Sequence, residues 1–413
     1  MKNVWRSGII FTAISFLTNI VFYLFQMIVS RQFHNAPGEF GLMNNTITFV
    51  GFLSLPLAIA TYAVTHYIAR FHFSGDDARL HGLLAGCRKF LFHITIVGSV
   101  IAVILVKPLG DFFHISRIGL TLIALVCVLG GLWASYITAL CQGLAWFKRL
   151  ALIGLLGATA RILFGWPTTH FQPIAEWGVL ASAAMLLPNL ILLFWRKDFP
   201  SRTDVTISPW TSEFVQFLIV SAAYVIGWNL FYQGDNLVAQ RYFSDADRDA
   251  YSVAEKLAVA MPTAVGPLLI VLFTHRSSHD YNDARLEQLK LAGLYAVGLI
   301  SGAVCLYLLR NFCVHLLNPN APEAGALIGR LSVTMVFVGL LQLLGIWSLA
   351  SRWMKISLLY GVLGLGYWLT ILGLGKSPAA LIQTMPVAAG TAFVILFLIW
   401  LATLQQHKPA AQS

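Results

Sequence analysis

Charge is what this chain has least of. Asp, Glu, Lys and Arg make up 11% of its 413 residues, against about 25% in soluble domains. No stretch is polar enough to build a soluble domain, and the longest polar segments, near 70–89, 196–212, 240–251 and 275–290, are of connector length. The five cysteines, Cys87, Cys127, Cys141, Cys305 and Cys313, form no CxxC pair, which argues against a disulfide framework or a zinc site. Alternating segments of about ten residues, the mark of a membrane barrel, are missing as well. Acidic residues are few, 17 against 27 Lys and Arg, but this excess is not the footprint of a nucleic-acid partner. With the N-terminus inside, most of the bases, among them Arg70, Arg79, Arg88, Lys89, Lys148, Arg149, Arg276 and Lys355, fall in cytoplasmic connectors. That bias predicts both termini in the cytoplasm.

What is present is hydrocarbon. The chain is 58% hydrophobic, and about twelve runs are long enough to cross a hydrocarbon core about 30 Å thick. They lie near 9–29, 44–66, 90–106, 118–140, 150–166, 177–195, 213–238, 252–273, 291–309, 327–349, 356–374 and 380–404. The fold class read from them is an all-α polytopic membrane protein. The first run has a basic start but no small-residue cleavage site, so it is expected to stay as an uncleaved helix.

The chain also repeats itself. VSRQFHNAPGEFGL from Val29 is echoed by AQRYFSDADRDAYS from Ala239, pairing Arg31 with Arg241, Phe33 with Phe243 and Glu39 with Asp249; Pro56 answers Pro267 one register later. Two equivalent six-helix lobes are predicted, 1–200 and 201–413, joined by the polar segment Arg196–Trp210. Duplicated halves are the usual frame of an alternating-access transporter with its site near the midplane. Pro56, Pro188, Pro262, Pro267 and Pro386 predict bent helices, tolerated in lipid where neighbours satisfy the freed backbone. GLLAG from Gly82 and GLISG from Gly298 have GxxxG spacing and are read as internal packing sites.

Three stretches carry a family resemblance: VSRQFHNAPGEFGL, QGLAWFKRLALIGLLGATARIL from Gln142 to Leu163, and YQGDNLVAQRYF followed by DAYSVAEKLA from Asp249. In this order they resemble the polysaccharide-biosynthesis (Wzx-like) oligosaccharide flippases of the MATE/lipid flippase (MOP) superfamily. The resemblance implies two six-helix lobes in a V around a central cavity. It implies a polyprenyl-pyrophosphate-linked oligosaccharide as cargo, carried outward across a bacterial inner membrane, with membrane lipid and pathway glycosyltransferases or a polymerase as partners. Neither catalysis nor a cofactor is implied. The chain departs from many relatives by lacking two further C-terminal helices. Helix one also lacks the mid-membrane arginine of lipid II flippases, which speaks against that cargo.

A lipid-linked pyrophosphate needs cationic donors along its path, and arginine suits phosphate because its planar fork makes paired, charge-assisted hydrogen bonds. Arg161, inside the fifth run, is the clearest intramembrane cation; alternatively it snorkels to the interface. Arg31 and Arg241, at matched outer helix ends, could receive a headgroup, or serve as anchors or ion-pair partners of Glu39 and Asp249. Ser15, Thr18, Asn19, Tyr23 and Gln26 recur at helical spacing, so Asn19 and Gln26 are candidates for sugar contact, with polar helix-to-helix contact as the alternative. Asp235 and Glu255 are candidates for proton or sodium coupling; the alternative is a structural ion pair. Glu255 and Lys256, adjacent on a helix, are expected to diverge.

Two motifs are set aside. Asp245, Asp247 and Asp249 imitate a calcium loop, but Ala250 replaces the turn glycine and Lys256 the closing glutamate. His275 and His279 have no evident third ligand. The leading expectation is therefore a flippase. A proton- or sodium-coupled MATE-type exporter of small organic molecules is the alternative. A membrane glycosyltransferase or polymerase is disfavoured, because no carboxylate sits near a metal motif and no large outer loop is evident.

Overall fold

Long apolar runs fold as helices in lipid because only a helix satisfies every backbone group within one segment. The computed structural model describes residues 2–33, 36, 39–112, 115, 117–189, 211–278, 285–317 and 322–406. Its helices in chain order are α1 (Lys2–Gln32), α2 (Glu39–Leu53), α3 (Leu55–Ser74), α4 (Asp77–Phe112), α5 (Ile118–Gly143), α6 (Phe147–Phe171) and α7 (Ala175–Ala184). They continue as α8 (Ser212–Tyr242), α9 (Asp245–Ser278), α10 (Arg285–Leu308), α11 (Arg310–Leu317), α12 (Ala324–Ala350), α13 (Met354–Leu374) and α14 (Pro378–Gln406). Among the described residues ten helices are long and apolar enough to cross a membrane, and the bent α2–α3 pair makes an eleventh. The sixth expected run, 177–195, begins in α7, and its last part, 190–195, lies outside the described residues, as does the whole of the expected linker.

The two echo motifs start their helices differently. Glu39 opens α2, which breaks at Ser54; Pro56 sits in the first turn of α3, and the two helices are bent by 46°. In α9 both Pro262 and Pro267 lie inside one helix. That helix starts earlier, with Ser244 as its side-chain cap: its Oγ accepts the Asp247 N–H at 3.2 Å and donates to Asp247 Oδ2 at 2.7 Å. The acidic run from Asp245 thus opens a helix.

A second repeat, in the backbone, ties the halves together. After α5 the amides of Leu144, Ala145 and Trp146 donate to the carbonyls of Leu140, Gln142 and Cys141. After α12 those of Ser351, Arg352 and Trp353 donate to Trp347, Leu349 and Ser348, each residue 207 positions later. Ala145 (φ 54°) and Arg352 (φ 61°) are the non-glycine residues with positive φ among those described, one in each loop. Trp146 and Trp353 then cap α6 and α13.

The chain divides into two compact units, Met1–Val215 and Gln216–Ser413. In the first, α1 packs on α6 and α3 on α5, and Phe25, Val29, Phe33, Met43 and Phe49 share a core with Leu120, Ala124, Val179 and Ala181. In the second, α12 is the most enclosed span, packed by α9 and α14. Gly298 and Gly302 face Val265 and Met261 of α9, an internal contact.

Candidate functional site

Helix α1 has three faces. Phe11, Phe25 and Val29 are buried, Phe16, Leu17, Ile20 and Leu24 are exposed to lipid, and Ser15, Asn19, Tyr23 and Gln26 lie half-buried between them. Thr18 leaves the polar stripe for the core side: its hydroxyl donates to the Ile14 carbonyl at 2.9 Å, and its methyl faces Gly154 of α6. The stripe ends at the clamp of Gln32, which accepts the Thr169 hydroxyl and donates to the Trp166 carbonyl at 3.3 Å.

Against this helix α6 sets Arg161. The side chain does not snorkel: it is 1% exposed. Its guanidinium carbon lies 4.2 Å from the ring centres of both Phe22 and Phe25, and Nη1 lies 3.9 Å from the Met185 sulfur. Nε is buried without a hydrogen-bond partner. Among the described residues Arg161 forms no ion pair. Two glycines on the same face make room, since a Cβ at Gly165 would overlap the Phe25 ring and one at Gly157 would lie 2.9 Å from the Met185 carbonyl. The cation is therefore held by quadrupoles and a thioether, which attract its charge without cancelling it.

The outer helix ends are arranged otherwise than expected. Arg31 and Arg241 are both exposed, and Arg241 lies 5.5 Å from the ring of its neighbour Tyr242. Glu39, the alternative ion-pair partner for Arg31, is bound by Arg117 through both terminal nitrogens, and Arg117 also binds Glu176 at 2.8 Å. Glu39 also accepts the Ala175 N–H at 2.8 Å, so one cluster joins the first turns of α2 and α7 to the start of α5. The hydrogen bond to Glu39, with the field of Glu176, raises the Arg117 pKa above its ordinary value. The Asp249 side chain lies outside the described residues.

Where α8 meets α9 in the second unit, the buried charge is negative. Asp235 is fully buried; Tyr251 donates its hydroxyl to Oδ2 at 2.5 Å, while Oδ1 has no hydrogen-bond partner. Glu255, one turn beyond Tyr251, is also buried and accepts Asn236 Nδ2 at 3.3 Å. Lys256 Nζ comes within 3.3 Å of Glu255 Oε2, correcting the expectation that neighbours diverge: the flexible stem of lysine folds back along the helix. The contact has ion-pair distance but not hydrogen-bond geometry, so it neutralises the carboxylate only weakly. Around it stand Tyr232, bonded to Thr263 at 2.6 Å, and the Tyr367 hydroxyl, buried without a partner.

The structure thus brings Arg161 beside α1, and Asp235 beside Glu255, but Arg31 and Arg241 stand apart at exposed helix ends. Sequence reasoning missed Phe22, Phe25, Tyr251 and Arg117. Only Tyr251 carried a local signal, its i,i+4 spacing to Glu255. Among the described residues no group of three His, Cys, Asp or Glu could hold a metal, and His279 lies outside them.

No family model and no curated protein sequence matches the chain. Solved structures do. An outward-facing multidrug resistance MATE family transporter of the MOP superfamily superposes with TM-score 0.74 at 13% identity, covering 97% of this chain and 96% of that one. A MATE protein in the straight conformation gives 0.71 at 14% identity, covering 98% and 96%. A MOP superfamily transporter from Pyrococcus furiosus, described as having a binding pocket of reverse polarity, gives 0.65 at 15%, covering 97% and 95%. At these identities the likeness is one of fold, and the chain has the all-helical fold of the MATE transporters.

Proposed function

We propose that the chain is a multi-pass transporter of a bacterial cytoplasmic membrane, with both termini inside, that moves polyprenyl-pyrophosphate-linked oligosaccharide outward by alternating access for surface polysaccharide biosynthesis. The observation that carries this reading is Arg161: a guanidinium enclosed in the first unit with no carboxylate on it among the described residues. An intramembrane charge left uncancelled by its own protein supports an anionic cargo as its partner. Asn19 and Gln26, on the half-buried stripe beside it, supply amides for sugar hydroxyls, and Arg31 and Arg241 meet the headgroup at the helix ends. Asp235 and Glu255 carry the coupling proton or sodium ion, and glycosyltransferases of the same pathway deliver the cargo. Replacing Arg161, Arg31 and Arg241 together with glutamine is expected to abolish surface polysaccharide while the protein still inserts; unchanged polymer would refute the assignment.

A second reading has its own observation. The Asp235–Glu255 site has a buried carboxylate oxygen without a partner, which suits proton- or sodium-driven export of organic cations, and one fold relative is described as a multidrug resistance transporter. Broad drug resistance on expression in cells lacking exporters would favour it.

A further inference from the structure

An arginine whose counter-ion is a cargo needs somewhere to wait when no cargo is bound. Arg161 waits between the faces of Phe22 and Phe25, each 4.2 Å from the guanidinium carbon. Each such face is worth about two- to thirtyfold in an equilibrium constant. Phe22 also stands at a border. At about 100° per residue it lies between Thr18 and Phe25 on the core side and Ser15 and Gln26 of the half-buried stripe on the other. The guanidinium therefore has to pass only the edge of the Phe22 ring to reach the stripe.

We propose that Phe22 and Phe25 set the affinity threshold of the cationic site, holding the Arg161 guanidinium so that a densely charged anion of the pyrophosphate class draws it out at concentrations where a singly charged anion does not. This rests on the reading of Arg161 as the cargo's partner. The cost of leaving two aromatic faces is the same for every anion, whereas the gain grows with the charge and the number of acceptor oxygens. A single carboxylate falls short; a pyrophosphate does not. Affinity for every anion is reduced by the fraction of time the cation spends stored.

The test is titration of the purified full-length protein in detergent with inorganic pyrophosphate and with acetate, for wild type, Phe22→Leu, Phe22→Trp and Arg161→Gln. Phe22→Leu removes one face and should bind pyrophosphate about fivefold more tightly, with acetate binding becoming measurable. Phe22→Trp offers a better face and should bind pyrophosphate about threefold more weakly. Opposite shifts are decisive, because a packing defect would weaken both. If either variant fails to give a monodisperse sample, the other still decides: Phe22→Leu binding no tighter, or Phe22→Trp binding no weaker, overturns the proposal. Arg161→Gln separates the two claims. Pyrophosphate bound as well by Arg161→Gln as by wild type removes Arg161 as the anion's partner, whatever Phe22 does. Opposite Phe22 shifts are expected with farnesyl pyrophosphate too, and its equal affinity with the inorganic ion would count against a lipid-linked cargo alone.

Discussion

The seam between α1 and α6 and the seam between α8 and α13 occupy matching places in the two units and are closed by opposite means. Both α6 and α13 present glycines at the same two places, Gly154 and Gly157 in one, Gly361 and Gly364 in the other. In the second unit they meet Ala223 and Gly227, and a Cβ on Gly364 would lie 2.6 Å from the Gly227 Cα, so the backbones touch. In the first unit Gly154 faces Thr18 at an ordinary 3.7 Å and Gly157 faces the Met185 backbone instead of α1, and the Phe22, Phe25 and Arg161 side chains meet between α1 and α6. The sequence offset of 210 sets Phe22 against Tyr232 and Phe25 against Asp235. One frame therefore carries a cation against aromatic faces in one half and a carboxylate against a phenol in the other. The two units share how the backbone turns after α5 and α12, while a few side chains decide the sign of the charge buried at Arg161 and at Asp235.

The contrast can be broken at several points. The largest effect is expected from Gly364→Val, which drives a side chain into the α8 backbone and should cost about 3 kcal/mol, read as a lowered Tm or lost monodispersity; Gly154→Ala in the matching seam should leave Tm nearly unchanged. Tyr251→Phe should cost about 2 kcal/mol by stripping Asp235 of the Tyr251 hydroxyl, whereas Arg161→Met should raise stability by about 1 kcal/mol by replacing a buried unpaired charge with an apolar chain of similar length. Thermal unfolding of the two variants side by side would show opposite signs if the halves differ as described.

Arg117→Ala should cost about 1 kcal/mol, because the group is 39% exposed and its gain is screened; the loss should shrink in high salt. No counterpart exists in the second unit, where the residue 207 positions on is Ala324. The smallest effect is a gain: Ala145→Gly should stabilise by about 0.5 kcal/mol, as glycine accepts positive φ at the cost of a freer unfolded chain. An equal gain for Arg352→Gly would show that the two loops are energetically as well as geometrically equivalent.

Legibility followed distance along the chain. The expected runs at 118–140, 213–238, 252–273 and 380–404 each lie inside an observed helix, because a continuous apolar stretch leaves the backbone one way to satisfy itself in lipid. The bend beside Pro56 was legible, but that it breaks the helix at Ser54 was not, since Pro262 and Pro267, read the same way, lie inside the single helix α9. The second repeat was hidden because its loops share a backbone path but little beyond Trp146 with Trp353 and Lys148 with Lys355. Arg161 stood out by itself, a charge in an apolar run; its companions Phe22 and Phe25 did not, being two phenylalanines among 28.

By itself, then, the order of amino acids determined that this is a helical membrane chain that repeats part of its own sequence, because hydrophobic length and repetition are legible without knowing what packs on what. Which partner each charge meets was decided only in three dimensions. Glu39 is taken by Arg117, Asp235 by Tyr251, and Arg161 by two aromatic faces on another helix; such pairings depend on how one helix packs against another.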